Sequence, residues 1–121
     1  MIIFLTKDLL VQSQASAAAK QSDAKIKFVS DLTRAIAQLQ DPASGAGALI
    51  VDLQTPGLQV DQLIQQLEAV ELKINTVAFA QHVLVDLLAS AKSDAINQVL
   101  TRGQFVSQLP AIISELIHKE A

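Results

Sequence analysis

Five short apolar segments recur along the chain, and polar or turn-forming residues separate them. They are residues 2–6 (IIFLT), 25–29 (KIKFV), 48–52 (ALIVD), 76–80 (TVAFA) and 98–101 (QVLT). Four of them are continuously apolar, which is typical of parallel strands that are covered on both faces. The second alternates and places Lys25 and Lys27 on one face. Because lysine protects an exposed strand edge from further pairing, this segment is predicted to lie at the rim of the sheet.

Between these segments, the apolar residues recur with the period of an α-helix. Four stripes follow this pattern: Leu32, Ala35, Ile36 and Leu39; Val60, Leu63, Ile64 and Leu67; Leu84, Leu87, Leu88 and Ala91; Leu109, Ile112, Ile113 and Leu116. A further helix is expected from Asp8 to about Gln21, where Ala, Gln and Ser favour helix but leave a thin apolar face. Residues 41–47, 55–57 and 102–104 are predicted to be loops, and Pro110 fits only the first turn of the last helix.

The strict alternation of strand and helix predicts an α/β domain with a parallel sheet. Right-handed crossovers would place helices on both faces of that sheet. Ligands and chemistry in such sheets gather beyond the carboxyl ends of the strands. We therefore expect the functional residues within positions 6–8, 52–57, 81–82 and 101–102.

Composition narrows the classes of protein further. The 121 residues suit one domain over positions 1–121, and the 50% hydrophobic and 17% charged content argues against disorder. A net charge of -3 argues against nucleic-acid binding, and the absence of cysteine excludes disulfides and thiolate chemistry. No segment has the length of a membrane span, and Lys7 and Asp8 interrupt the apolar N-terminus too early for a signal peptide. A cytoplasmic location is therefore expected.

At this point the chain resembles the receiver domain of two-component response regulators. The length, the (βα)5 alternation and the spacing of elements match over essentially the whole sequence. Asp52 ends the third strand and is followed by Pro56 and Gly57, and receivers place their phosphorylated aspartate in such a D-x-x-x-P-G setting. The resemblance implies a three-layer, flavodoxin-like fold with five parallel strands in the order 2-1-3-4-5. It also identifies Asp52 as the equivalent of the phosphoacceptor.

The acidic pair that holds Mg²⁺ in the family is missing from this chain. The corresponding positions after the first strand are Thr6-Lys7, or Lys7-Asp8 if the frame shifts by one. Either way a lysine replaces a carboxylate, although Mg²⁺ prefers hard oxygen ligands and is repelled by a neighbouring positive charge. We expect no metal and no cofactor.

Two further parts of receiver chemistry are also absent. The family has a Ser or Thr at the end of the fourth strand, where this chain has Ala80 or Gln81. The family's lysine at the end of the fifth strand is replaced by Thr101 or Arg102, and the guanidinium has a different geometry. The chain is therefore interpreted as a degenerate receiver, or pseudo-receiver.

Asp52 then needs another explanation than phosphorylation. One is that the strand-end carboxylate accepts hydrogen bonds from the following turn. Another is that Lys7 occupies the vacated metal position and pairs permanently with Asp52.

His82 and Asp86 have a spacing that metal sites use, but two ligands are too few. A histidine with local hydrogen bonds at the start of a helix is the preferred interpretation.

Without catalysis, the surface must carry the function. In the family, the fourth helix, fifth strand and fifth helix meet partners, and this corresponds to residues 84–119. This region holds mixed charges suited to a protein partner or a homodimer: Lys92, Asp94, Arg102, Glu115 and Lys119. We expect a phosphorylation-independent signalling or protein-interaction module with no catalytic residues, no nucleic-acid partner and no membrane partner.

Two alternatives remain open at this stage. One is an atypical receiver that is phosphorylated on Asp52 and catalyses its own dephosphorylation. The other is a small-molecule binder that uses Gln81, His82 and Arg102 at the carboxyl edge of the sheet. The candidate positions around that edge are Lys7, Asp8, Pro56, Gln81, His82, Thr101 and Arg102.

Overall fold

A computed structural model describes residues 1–70 and 73–120, without the side chains of residues 119 and 120. Five strands alternate with helices along the chain. The strands are β1 (Ile2–Leu5), β2 (Ile26–Val29), β3 (Ala48–Asp52), β4 (Asn75–Ala80) and β5 (Gln98–Thr101). The helices are α1 (Leu9–Gln21), α2 (Leu32–Gln40), α3 (Val60–Ala69), α4 (Val85–Ser90), α5 (Arg102–Ser107) and α6 (Leu109–Glu120), and a 3₁₀ turn covers Pro42–Ser44.

The strands form one parallel sheet in the order β2-β1-β3-β4-β5. The predicted order is confirmed, and β2, with Lys27 exposed, lies at an edge as expected. Leu5 of β1 pairs with Val51 of β3, so that Thr6 and Asp52 follow at the same level of the sheet. The register between β3 and β4 places Asp52 opposite Phe79. The carboxyl ends of the central strands therefore meet around Asp52.

A separate hydrophobic core covers each face of the sheet. Side chains of α2 and α3 pack on one face, together with residues such as Leu49 and Val51. Helices α1, α5 and α6 pack on the other. Three buried aromatic rings centre this second core, with Phe79 and Phe105 stacked at 4.1 Å and Phe4 edge-on to both. Helices on both faces produce the three layers that continuously apolar strands predict.

Helix α1 forms despite its thin apolar face. Its buried residues are Val11, Ala15, Ala18 and Ala19, spaced to share one side of the helix. Asp8 caps its N-terminus by accepting from the backbone N–H groups of Leu10 and Val11, which satisfies two donors that the first turn leaves without partners. Small side chains and a good cap thus compensate for the weak apolar periodicity.

The prediction of a loop at residues 102–104 is wrong, because α5 begins directly at Arg102. Thr101 accepts from the Gln104 N–H, and the Gln104 side chain accepts from the Thr101 N–H. This is a capping box of the T-x-x-Q form, which starts a helix at the strand end. The predicted last helix at Leu109 is confirmed as α6, with Pro110 in its first turn.

Helix α4 is shorter than its apolar stripe suggests. It spans only six residues, and Leu84 and Ala91 of the stripe lie just outside it. Leu87 and Leu88 pack against the core of the α2–α3 face, and Ala91 is fully buried. None of the helices in the described part of the chain is long and apolar enough to cross a membrane.

Candidate functional site

Asp52 is buried at the centre of the carboxyl edge, with only 4% of its surface exposed. Its Oδ2 accepts a hydrogen bond from the Thr6 hydroxyl at 2.8 Å. Its Oδ1 accepts from the Gln54 N–H at 3.0 Å, which is the contact with the following turn expected for a strand-end carboxylate. Both oxygens therefore have protein partners, as a buried charge requires.

The turn after β3 is a tight reversal built by Thr55, Pro56 and Gly57. The Leu58 N–H donates to the Thr55 carbonyl at 3.1 Å, and Gly57 has a φ of +85°. Proline at the second position and glycine at the third are the residues that a type II turn needs, because the third position requires positive φ. Pro56 and Gly57 themselves are exposed. The D-x-x-x-P-G segment thus shapes the loop that follows Asp52.

An ion pair at the same edge of the sheet joins Asp8 and Arg102, which lie far apart in the sequence. The Arg102 Nη2 donates to the Asp8 Oδ2 at 2.6 Å, while the Asp8 Oδ1 caps α1. Both side chains are about 30% exposed, at 27% and 31%. The pKa of Asp8 is lowered, mainly by the hydrogen bond from Arg102. Desolvation by burial raises this pKa, and the N–H groups of Val11 and Leu10 lower it further. Asp8 is thereby held as a carboxylate with both oxygens engaged.

Lys7 does not form the predicted ion pair with Asp52. Its side chain is exposed and contributes to a cleft beside β2. Thr6 contacts Asp52 instead. Thr6 is level with Asp52 on the adjacent strand, and the next residue along an extended chain points the opposite way.

Gln81, His82 and Arg102 lie together, as the small-molecule alternative predicts. They line a cleft of about 480 Å³ with Val83, Gly103 and Val106. The Gln81 N–H donates to the Gln54 side chain at 2.9 Å, which ties the loop after β4 to the turn after β3. His82 lies in a turn before α4, not at its first position, because the helix begins at Val85. In the part of the chain that the structure describes, no three His, Asp or Glu side chains are grouped as metal ligands.

Similar folds are found among solved structures of receiver domains. The receiver domain of a sensor histidine kinase from Pseudomonas aeruginosa superposes with a TM-score of 0.77 at 16% identity, over 97% of this chain and 96% of that one. A response regulator from Chloroflexus aurantiacus gives 0.78 at 13% identity, over 97% and 96%. This chain has the receiver-domain fold.

Sequence comparisons alone give no family assignment for this receiver-like domain. No family model matches the chain, and no curated protein matches it. The phosphorylated cyanobacterial phytochrome response regulator RcpA is a further structural neighbour, with 18% identity, a TM-score of 0.72 and coverage of 94% and 88%. The P. aeruginosa structure holds a magnesium ion in its active-site cleft. At these identities the likeness establishes the fold, and the chemistry must be judged from this chain's own residues.

Around Asp52, this receiver-like domain carries uncharged residues at the ends of β1 and β4. Thr6, at the end of β1, supplies a hydroxyl donor. Ala80, at the end of β4, is fully buried and has no polar group, and the next residue, Gln81, is exposed. Thr101, at the end of β5, uses its hydroxyl to cap α5.

Two contacts of this site escaped the sequence interpretation. The hydrogen bond from Thr6 to Asp52 had a signal, because a hydroxyl at the end of β1 stands beside the end of β3 once the strand order is known. The strand pattern placed Asp8 and Arg102 at the same edge of the sheet, but their direct contact across 94 positions was not predicted. Arg102 was expected as a substitute for the family's lysine, as one of the charges of the region 84–119 and as a contact for a small molecule.

Proposed function

We propose that this receiver-like domain is a pseudo-receiver, a signalling or protein-interaction module that works without phosphorylation. The observation that carries the proposal is the engagement of Asp8. Its two carboxylate oxygens are taken by Arg102 and by the first turn of α1. Asp8 is the only carboxylate among residues 1–22 of the sequence, and so the only one that could stand for the family's acidic pair after β1.

The electrostatics of this arrangement oppose receiver chemistry. Mg²⁺ at the carboxyl edge would have to displace Arg102 from Asp8, and it would meet the positive charges of Arg102 and Lys7 on the way. Phosphorylating Asp52 would modify one of the two oxygens that accept from Thr6 and Gln54 and place a phosphoryl group in a site with 4% exposure. The positive charge of Arg102 is permanent and already paired with Asp8, so that this contact requires neither a phosphoryl group nor a metal ion.

Intact-mass measurement after incubation with acetyl phosphate and Mg²⁺ tests the proposal. We expect no phosphoryl adduct on the wild-type chain under conditions that modify a control receiver. Asp52→Asn serves as the matched variant, because it keeps the shape of the side chain and removes the carboxylate that would accept the phosphoryl group. An adduct on the wild type that is absent from Asp52→Asn would establish the alternative, an atypical receiver phosphorylated on Asp52.

The face that we propose for protein contacts is the region 84–119, as the resemblance implies. Helix α4 buries none of its own residues completely, and Val85 at its start is 66% exposed. Strand β5 forms the second edge of the sheet and is half-exposed. Lys92, Asp94 and Glu115 are exposed on this region, and the side chain of Lys119 lies outside those described. Exposed apolar residues flanked by mixed charge suit a contact with a protein.

Sedimentation velocity over a range of concentrations tests whether the partner is a second copy. If it is, we expect Val85→Asp to weaken self-association and Leu9→Asp to leave it unchanged. Leu9 is the matched control because it is a similarly exposed apolar residue, at 78%, outside the proposed face. A monomer at all concentrations would reject the homodimer and leave a different protein as the partner.

A second candidate function is the binding of a small molecule in the cleft of Gln81, His82 and Arg102. What supports it is the cleft of about 480 Å³ that these three side chains share with apolar Val83 and Val106, since ligand sites combine apolar walls with a few polar groups. A ligand at about one hundred times its Kd would stabilise the domain by about 2.7 kcal/mol. A melting shift that Arg102→Gln abolishes would favour this candidate.

A single domain over residues 1–121 and a cytoplasmic location remain predictions.

A further inference from the structure

A second cleft lies on the other side of Thr6, between the ends of β1 and β2 and helix α2. Its volume is about 530 Å³, within the range of small-molecule sites. We name it the β1–β2 cleft. It is lined by Thr6, Lys7, Gln12, Lys27, Phe28, Val29, Ser30, Arg34, Ala37 and Gln38. None of the residues that define the cleft of Gln81, His82 and Arg102 belongs to it, and neither does Asp52.

Three cations converge on the β1–β2 cleft from three separate elements. Lys7 follows β1, Lys27 lies on β2 and Arg34 lies on α2. No acidic side chain lines the cleft, although the whole chain has a net charge of -3. Protection of the edge strand explains Lys27 alone, because the other two cations are not on β2. Arg34 is partly compensated by Asp31, but Lys7 and Lys27 add further positive charge at the same concavity, and a bound anion removes the cost of their repulsion.

The polar groups around these cations complete an anion-binding set. Arg34 Nη1 donates to the Ser30 hydroxyl oxygen at 3.4 Å, and Arg34 Nε lies 3.6 Å from an oxygen of Asp31. These two contacts leave Nη2 of the guanidinium for a ligand. Ser30 and Gln38 contribute a hydroxyl and an amide at the lining. A guanidinium fork with lysine ammonium groups is the combination that recognises phosphate.

We propose that the β1–β2 cleft binds a small phosphate-bearing anion with at least two negative charges. The anion sits between Lys7, Lys27 and Arg34. The site is independent of Asp52 phosphorylation and of a divalent cation, because its positive charges belong to the protein. Thr6 forms part of the wall and also donates to Asp52, so that a bound anion contacts the residue that holds the phosphoacceptor equivalent.

Inorganic pyrophosphate is the probe for this proposal. The chain is titrated in EDTA at constant ionic strength, and backbone amide shifts are followed by two-dimensional NMR. EDTA removes any metal-bridged binding at Asp52. We expect saturable shifts at Lys7, Ser30 and Arg34, with a Kd of about 1 mM or below. No saturation at about 10 mM would overturn the proposal.

Variants that remove a single positive charge distinguish binding in the cleft from nonspecific attraction by the overall electrostatic field of the protein. Lys27→Gln and Arg34→Gln are each expected to weaken pyrophosphate binding about tenfold, as the loss of one charge-assisted hydrogen bond predicts. Lys25→Gln is the matched control, because Lys25 directly precedes the same strand, shares the alternating face of Lys27 and does not line the cleft. It should change the affinity less than twofold. Equal losses for Lys25→Gln and Lys27→Gln would reject a built site.

Discussion

Asp8 offers the sharpest test of the contacts that stabilise the carboxyl edge, because its two oxygens accept hydrogen bonds from different groups. Oδ1 accepts from the N–H groups of Leu10 and Val11 at 3.0 and 3.2 Å, and Oδ2 accepts from Arg102 at 2.6 Å. Asp8→Asn keeps an oxygen for the cap and removes the charge. Asp8→Ala removes both functions. Comparing the two variants separates the cap from the ion pair.

The expected losses follow from these contacts. An N-cap replaced by alanine costs about 1 kcal/mol. Ion pairs at the surface contribute about 0.2–1 kcal/mol, and the pair of Asp8 and Arg102 belongs near the top of that range because each side chain is less than one third exposed, at 31% and 27%. We therefore expect Asp8→Asn to lower the free energy of unfolding by about 1 kcal/mol and Asp8→Ala by about 2 kcal/mol.

Urea denaturation of the single variants, of Arg102→Gln and of the Asp8→Asn/Arg102→Gln double variant completes the cycle. We expect a coupling energy of about 1 kcal/mol at neutral pH. A coupling energy near zero would show that the ion pair contributes nothing to stability. Equal losses for Asp8→Asn and Asp8→Ala would refute the role of Asp8 as a cap.

The pH dependence provides an independent check. Arg102 and the backbone donors lower the pKa of Asp8 in the folded state. A lowered pKa contributes stability above the unfolded value of about 3.9, and this contribution is lost as the pH falls through the folded value. The stability difference between wild type and Asp8→Asn should therefore be constant near neutral pH and shrink below about pH 4. A difference that grows on acidification would contradict the assignment.

Three further substitutions test the turn, the core and the contact with Asp52. Thr6→Val should cost about 1–3 kcal/mol in urea denaturation because buried Asp52 loses a donor, whereas Thr6→Ser, which keeps the hydroxyl, should cost much less; similar costs would exclude the hydrogen bond as the cause. Gly57→Ala should cost about 1–2 kcal/mol because its φ is +85°, with Gly103→Ala, at a glycine without positive φ, as the control. Phe105→Ala should cost about 3–5 kcal/mol, since the fully buried ring stacks on Phe79, and a loss below about 1 kcal/mol would show that this core is loosely packed.

The local sequence determined the elements of this protein. Continuous apolar runs marked β1, β3 and β4 because both faces of these strands are covered, and alternation in residues 25–29 marked β2 as an edge. The turn at Pro56 and Gly57 was also readable, since only glycine adopts positive φ without strain. The cap that starts α5 was present as T-x-x-Q and was missed, because Gly103 and its neighbours resemble a loop in composition.

Tertiary structure alone decided which side chains meet at the carboxyl edge. Thr6 and Lys7 are adjacent in sequence, and Lys7 was the residue expected to pair with Asp52. The register of β1 against β3 places Thr6 level with Asp52, and the alternation of an extended chain turns Lys7 away. Asp8 and Arg102 meet across 94 positions because parallel strands bring all their carboxyl ends to one edge. Periodicity reports which face a residue occupies, whereas a contact between distant residues depends on strand order and register together.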